Sequence, residues 1–167
     1  NRTDVVEFLM KGRAFLALIV VVAFFAIMVP GLLQLDSVIV ITVHVAGVAL
    51  LAIGMTFVIL SGGIDLSVGS IVGLGGVMSA FFIMNWGLPI WLAILMTLFL
   101  GFLIGSFHGL YVTRLHMHGF LITLVTMGLA RGFILVITNA FPITGLPRAY
   151  NFLGQGYVLN VIPVPVI

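Results

Sequence analysis

The chain is dominated by long apolar stretches with very few charges between them. Five stretches approach or exceed the roughly 20 residues that a membrane-spanning helix needs. They cover residues 14–33, 38–60, 66–84, 89–112 and 119–140. Only 6% of the 167 residues are charged and 63% are hydrophobic, whereas soluble domains are about 25% charged. The sequence therefore predicts an all-α membrane protein, a polytopic bundle of about five transmembrane helices, with a sixth starting near Val161.

We expect the basic residues at the start of the chain to precede a retained transmembrane helix and not a cleaved signal peptide. The apolar run 14–33 is longer than the core of a usual signal peptide, and no small-residue cleavage site follows it. Three of the six basic residues lie in this leader, so the net charge of +2 indicates no nucleic-acid partner. The chain contains no cysteine, which excludes disulfides and thiolate metal sites.

The distribution of basic residues predicts a cytoplasmic N-terminus. Short cytoplasmic loops carry the excess of Lys and Arg. With the N-terminus inside, four of these residues are cytoplasmic: Arg2, Lys11, Arg13 and Arg114. Trp86 and Trp91 then flank an outer turn, where indole rings favour the headgroup level. The segment after Ala140 is expected to lie against the outer surface as a loop or re-entrant piece.

The stretch "SGGIDLS", residues 61–67, interrupts the apolar sequence between the second and third predicted helices. Gly62 and Gly63 can break a helix, and irregular backbone at membrane depth needs protein or water to satisfy it. We expect Asp65 to act as the N-cap of the third helix and accept bonds from its first N–H groups. Direct contact with a transported solute is the alternative for Asp65. The candidate helix break comprises Ser61, Gly62, Gly63, Asp65 and Ser67.

Arg131 is the only basic residue inside a predicted span. It could pair with a carboxylate such as Asp65, bond to free backbone carbonyls, snorkel outward, or line a polar path. Thr138 and Asn139, at the far end of the same span, are candidate contacts for a polar solute or ordinary helix-end residues. The four histidines share no metal-ligand spacing, so no metal site is expected: His44, His108, His116 and His118.

Glycines recur every four residues on three of the predicted helices, a pattern that lets helix backbones approach closely in a bilayer. We expect these positions to form packing seams: Gly69, Gly73, Gly101, Gly105, Gly109, Gly128 and Gly132. The chain shows no nucleophile paired with a base, no paired carboxylates and no phosphate-binding loop. We therefore expect it to be neither an enzyme nor a binder of ATP.

Three segments resemble the permease subunits of bacterial sugar ATP-binding-cassette importers, the ribose, xylose, arabinose and galactofuranose group. The first is "GMTFVILSGGIDLSVGSIVGLGG", residues 54–76. The second, "HGFLITLVTMGLARGFILVITN", is similar to the family segment that holds an Arg-Gly pair, here Arg131 and Gly132. The third, "PITGLPRAYNFLGQG", resembles the outer segment of the ribose-type members. Together the resemblance extends over essentially the whole chain.

The resemblance implies that residues 1–167 are the N-terminal part of a single transmembrane permease domain. It implies import of a monosaccharide, a pentose or ribose-like sugar, across the bacterial inner membrane by alternating access. The implied partners are a second permease subunit (identical or different), cytoplasmic ATPase subunits, a periplasmic sugar-binding protein and membrane lipid. ATP and Mg would belong to the ATPase, so no cofactor is expected on this chain.

Two other classes remain open at this point. An ion-coupled secondary transporter of a small polar solute would also use a broken helix, with Asp65 and Arg131 near the coupling site. A membrane scaffold that transports nothing would account for the glycine stripes but not for the polar interruption. Dependence of uptake on ATP or on an ion gradient distinguishes the first two classes.

Overall fold

A computed structural model describes residues 12–158 and 162–166 of the chain. Six α-helices occur within these ranges, and each of the five predicted spans overlaps one of the first five. They are α1 (Arg13–Met28), α2 (Leu35–Leu60), α3 (Val68–Met84), α4 (Ile90–Arg114), α5 (Gly119–Thr138) and α6 (Arg148–Gln155). Two short strands, β1 (Tyr157–Val158) and β2 (Ile162–Pro163), pair antiparallel and precede a 3₁₀ turn over Val164–Val166. The predicted sixth span starts at Val161, outside the described residues, and the described residues after it form no α-helix.

Among the described residues, three helices are long and apolar enough to cross a membrane, namely α2, α4 and α5. The other two predicted spans, α1 and α3, form shorter apolar helices of 16 and 17 residues. Large hydrophobic side chains point away from the protein along these helices. Ile27 is 80% exposed and Val136 is 75% exposed, which suits a protein whose surface meets hydrocarbon chains instead of water. The described part of the chain is therefore that of an all-α membrane protein.

The described residues divide into two compact units. One contains residues 12–46 and Val166, and the other contains residues 47–158 and 162–165. In the larger unit, α3 packs against both α4 and α5, and α4 packs less extensively against α5. A hydrophobic cluster of Phe82, Ile83 and Ala93 joins the C-terminal end of α3 to the N-terminal end of α4. Tyr150 of α6 packs against this cluster.

The segment after α5 begins with two residues in the left-handed region, Asn139 at φ +50° and Ala140 at φ +63°. It continues into α6, which a hydrogen bond of 2.5 Å between Tyr150 Oη and Ser79 Oγ fixes to α3. The expectation of a loop or re-entrant piece therefore omitted a short helix and a strand pair. Tyr150 anchors that helix because its ring is partly buried against apolar neighbours while its hydroxyl finds a polar partner.

Most of the glycine positions on the predicted seams face open space. A Cβ atom placed at Gly73 would lie 3.4 Å from Ile134 Cδ1, so this glycine does lie where α3 meets α5. At the other six positions an added Cβ would meet no atom within 4 Å: Gly69, Gly101, Gly105, Gly109, Gly128 and Gly132. These six do not bring helices of the described chain together, and a packing role for them in an assembled protein stays a prediction.

Candidate functional site

The interruption at residues 61–67 forms a hydrogen-bonded turn between α2 and α3. Gly62 adopts φ +78°, a conformation that glycine reaches at little steric cost. Its N–H donates to Ile59 O at 2.9 Å, and the N–H of Gly63 donates to Val58 O at 2.9 Å. This pair of bonds is a Schellman motif, which satisfies carbonyls at the end of a helix. The Ser61 hydroxyl also donates to Val58 O, at 2.7 Å.

Asp65 holds the chain at the entry to α3 through one carboxylate oxygen. Asp65 Oδ1 accepts a hydrogen bond from the Ser67 backbone N–H at 2.7 Å and another from the Ser67 hydroxyl at 2.6 Å. Ser67 is completely buried and is itself the N-cap of α3. The expectation that Asp65 occupies the N-cap was wrong by two positions. The carboxylate instead forms an Asx-type turn before the helix, because it accepts from the backbone N–H two residues ahead, that of Ser67.

Thr123 on α5 supports the same turn from the side. Its Oγ1 accepts a hydrogen bond from the Leu66 backbone N–H at 3.2 Å, and it can donate to Gly119 O of its own helix at 2.9 Å. Gly119 lies close by, since a Cβ there would be 3.7 Å from Ile64 O. Backbone freed by the helix break is thus satisfied by protein, as membrane depth requires.

Arg131 does not pair with Asp65. Its Nε donates to the hydroxyl of Ser70 at 3.3 Å, and Ser70 is 6% exposed in the first turns of α3. Arg131 itself is exposed. Arg131 and Thr123 lie on the same helix, so α5 contributes two polar side chains to the start of α3. The candidate site is this set of contacts, the α3 entry cluster: Asp65, Ser67, Ser70, Thr123 and Arg131.

The predicted solute contacts at the end of α5 lie apart from the α3 entry cluster. The Thr138 hydroxyl donates to Ile134 O within its own helix at 2.9 Å, and Asn139 is the left-handed C-cap of α5. Thr138 also lines a cavity of about 390 Å³ whose other walls include Gly76, Ala80 and Pro142. Most of the side chains lining that cavity are apolar, so it offers few groups that could bind a sugar.

A further polar contact joins α4 and α5. His108 Nε2 lies 2.8 Å from Thr126 Oγ1, and His108 is 9% exposed. Within the described ranges no three His, Cys, Asp or Glu side chains lie together in a way that could hold a metal ion. The His108–Thr126 pair therefore serves as a hydrogen-bonded contact between two helices, as buried polar groups in a bilayer require.

Sequence reasoning missed three of the partners in these contacts. The sequence pattern did not predict Ser70 as the partner of Arg131 or Thr126 as the partner of His108, and it predicted no contact for Thr123. All three are small hydroxyl residues on helices, and such residues usually bond to a carbonyl of their own helix. Their cross-helix partners lie 18 to 61 positions away, a distance that local pattern does not bridge.

Comparison with known proteins places this geometry in context. A protein family described as "Branched-chain amino acid transport system / permease component" matches residues 37–156. A ribose import permease protein of Haemophilus influenzae is 40% identical over 96% of this chain and 50% of the relative's length. The ribose import permease protein of Bacillus subtilis is 43% identical over 94% of the chain and 49% of its own length.

A relative that matches a smaller part of the chain is also named for sugar transport. The xylose transport system permease protein of Escherichia coli is 40% identical over 65% of the chain and 28% of its own length. The chain thus spans about half the length of the ribose permeases and less of the xylose permease. No solved structure matches the chain.

Proposed function

Because the chain belongs to the family of transport permease components that matches residues 37–156, we propose that it forms part of the membrane-spanning subunit of an ATP-driven sugar importer. The cargo is a monosaccharide, a pentose such as ribose or xylose, and the location is the bacterial inner membrane. Similarity to two ribose import permeases along almost the whole chain is the observation that carries this proposal. The relatives' printed names support this cargo class.

The proposed arrangement places the N-terminus in the cytoplasm and lets five helices, α1 to α5, cross the bilayer. The α3 entry cluster then lies toward the cytoplasmic side, and the turn after α5 lies toward the outside. A second permease subunit completes the path, two cytoplasmic ATPase subunits drive alternating access, and a periplasmic sugar-binding protein delivers the cargo. ATP hydrolysis takes place on the partner subunits, so this chain has a transport function without catalysis.

The polar groups in the chain suit a neutral cargo. A sugar carries hydroxyls that donate and accept hydrogen bonds, and it has no net charge. The one carboxylate in the interior of the apolar sequence, Asp65, already accepts two hydrogen bonds from Ser67 through Oδ1. An acid that holds a turn in this way is poorly placed to carry a coupling ion, which favours ATP-driven transport over the ion-coupled alternative.

Reconstitution tests the proposal directly. The complete permease that contains this chain is assembled with its ATPase and periplasmic binding protein in proteoliposomes, and uptake of radiolabelled ribose and xylose is followed. We expect pentose uptake that requires hydrolysable ATP and survives an ionophore that collapses ion gradients. Uptake that persists without ATP but stops with the ionophore would establish the ion-coupled transporter instead. Co-purification of the ATPase with a tagged permease provides an independent check of the partners.

A further inference from the structure

Arg131 carries a charge inside the hydrophobic length of α5 that its observed contact does not neutralise. It lies 12 positions after Gly119, the first residue of the helix, which is about 18 Å along the axis and past the middle of a ~30 Å core. Among the described residues its hydrogen-bond partner is the Ser70 hydroxyl, which accepts the bond without bringing a negative charge. An arginine at this depth requires a counter-charge.

The direction of the Arg131 side chain strengthens that requirement. Ser70 lies in the first turn of α3, which begins at Val68, and the N-terminal turn of a helix carries partial positive charge. Side chains on a helix slant toward its N-terminus, so Arg131 reaches toward Ser70 and away from the nearer end of α5, at Thr138. The guanidinium is thus held at depth beside the positive end of a second helix, and does not snorkel outward.

The acidic residues of this chain are poorly placed to supply the counter-charge. Asp36 lies in the first turn of α2, and Asp65 accepts two hydrogen bonds from Ser67 before α3 begins. All four acidic residues fall outside the five apolar stretches of the sequence: Asp4, Glu7, Asp36 and Asp65. Neither this chain nor a second copy of it therefore places a carboxylate within an apolar stretch at the depth of Arg131.

The side of the α3–α5 pair next to Arg131 has room for another helix. Residues three and four apart share a helix face, so Leu135 and Thr138 continue the face of Arg131 toward the end of α5. Leu135 is 57% exposed. Together with Thr138 it lines the cavity of about 390 Å³ that Gly76 and Ala80 of α3 also line. We call this cavity the α3–α5 groove, and its small α3 side chains let a third helix approach closely.

We propose that a transmembrane helix from the rest of the same permease polypeptide, carrying an aspartate or a glutamate, packs in the α3–α5 groove and pairs with Arg131. Charge complementarity selects an acidic helix, because a guanidinium can hold a carboxylate through two parallel hydrogen bonds. The chain covers 50% and 49% of the length of two ribose permeases, so a permease of that length has further segments to fill the groove. The inference rests on the proposed function for that further length of polypeptide.

Photo-crosslinking in the complete permease, reconstituted in proteoliposomes, tests which segment occupies the groove. The photoreactive residue p-benzoylphenylalanine replaces Leu135 in the groove or, as the matched control, Val136, which is 75% exposed on another side of α5. We expect position 135 to crosslink within the same polypeptide to a segment beyond residue 167 that contains Asp or Glu, and position 136 not to reach that segment. A crosslink from position 135 to another subunit, or to lipid alone, overturns the inference.

The acid in the crosslinked segment then allows a test of the charge pair. We expect Arg131→Gln, or the acid changed to its amide, to lower the yield of folded permease by about fivefold, because each leaves one charge unpaired in the bilayer. The double variant should recover most of the yield, and Arg131→Lys should lose less than Arg131→Gln. Arg148→Gln on α6 is the control for loss of a positive charge and should keep the wild-type yield.

A double variant that folds no better than the single variants overturns the pairing with Arg131. Absence of ATP-driven ribose uptake by the wild-type importer contradicts the proposed function instead. Crosslinks and folded yields are measured without transport, so the two failures are distinguishable.

Discussion

The contact between Thr123 and the turn before α3 allows a sharp test of how the helix break is stabilised. The Leu66 N–H donates to Thr123 Oγ1, and Thr123 is 4% exposed. Thr123→Val replaces the hydroxyl by a methyl group of similar size, so that the shape is kept while the acceptor is lost. The Leu66 N–H then loses its side-chain acceptor.

The magnitude follows from two kinds of measurement. An unsatisfied buried donor costs about 1–3 kcal/mol, while side-chain hydrogen bonds between membrane helices average about 0.6 kcal/mol and reach about 1.7. The Thr123 bond serves an irregular backbone segment and not a complete helix, which favours the upper part of the membrane range. We expect Thr123→Val to lower the free energy of unfolding by about 1–2 kcal/mol, and Thr123→Ser to lose less because it keeps the oxygen.

The assay is equilibrium unfolding of the complete permease in mixed micelles of increasing SDS fraction. Thr56→Val is the matched control, because the Thr56 hydroxyl donates only to Ala52 O of its own helix and is exposed. The control removes the same atoms without touching the break, and we expect a change within about 0.5 kcal/mol. Equal unfolding midpoints for Thr123→Val and Thr56→Val would refute the claim that this hydroxyl stabilises the break.

Three further predictions concern the ends of the helices. Gly62→Ala should destabilise the permease by about 1 kcal/mol because φ is +78° there. Gly47→Ala, in the middle of α2, is the control. An unchanged melting temperature for Gly62→Ala would contradict the Schellman turn. Asp65→Leu should lower the yield of assembled permease and its ribose uptake. Asp65→Asn should cause a smaller loss, because its amide oxygen can still accept a hydrogen bond from Ser67. Wild-type yield and uptake in both variants would count against the turn. Tyr150→Phe should lower the free energy of unfolding by about 1 kcal/mol through loss of the hydrogen bond to Ser79. Faster amide hydrogen exchange in α6 should reveal this loss. Equal exchange rates in the wild type and the variant would contradict it.

The sequence was sufficient to locate the five apolar helices and the interruption, but not α6. Membrane-spanning helices satisfy their own backbone within one segment, so apolar length marks them. Each predicted range overlaps one of α1 to α5, of which α2, α4 and α5 are long enough to span a membrane. Gly62 could likewise be recognised as a helix stop, because a left-handed residue at a C-terminus favours glycine through local sterics. The placement of Asp65 was nearly right, and the error of two positions reflects the uncertainty of any helix boundary.

The bilayer environment, the five apolar helices and the helix break can thus be recognised in the sequence, because each depends on interactions within a few residues. Which helix faces meet depends on the packing of the whole bundle. That packing brought Thr123 to Leu66 and Ser70 to Arg131 across 57 and 61 positions, and it turned Gly73 toward a neighbouring helix while Gly101, Gly128 and Gly132 face open space. The physical reason is that helical periodicity defines a stripe on each helix, whereas the rotation of that stripe toward a neighbour depends on packing among all the helices together.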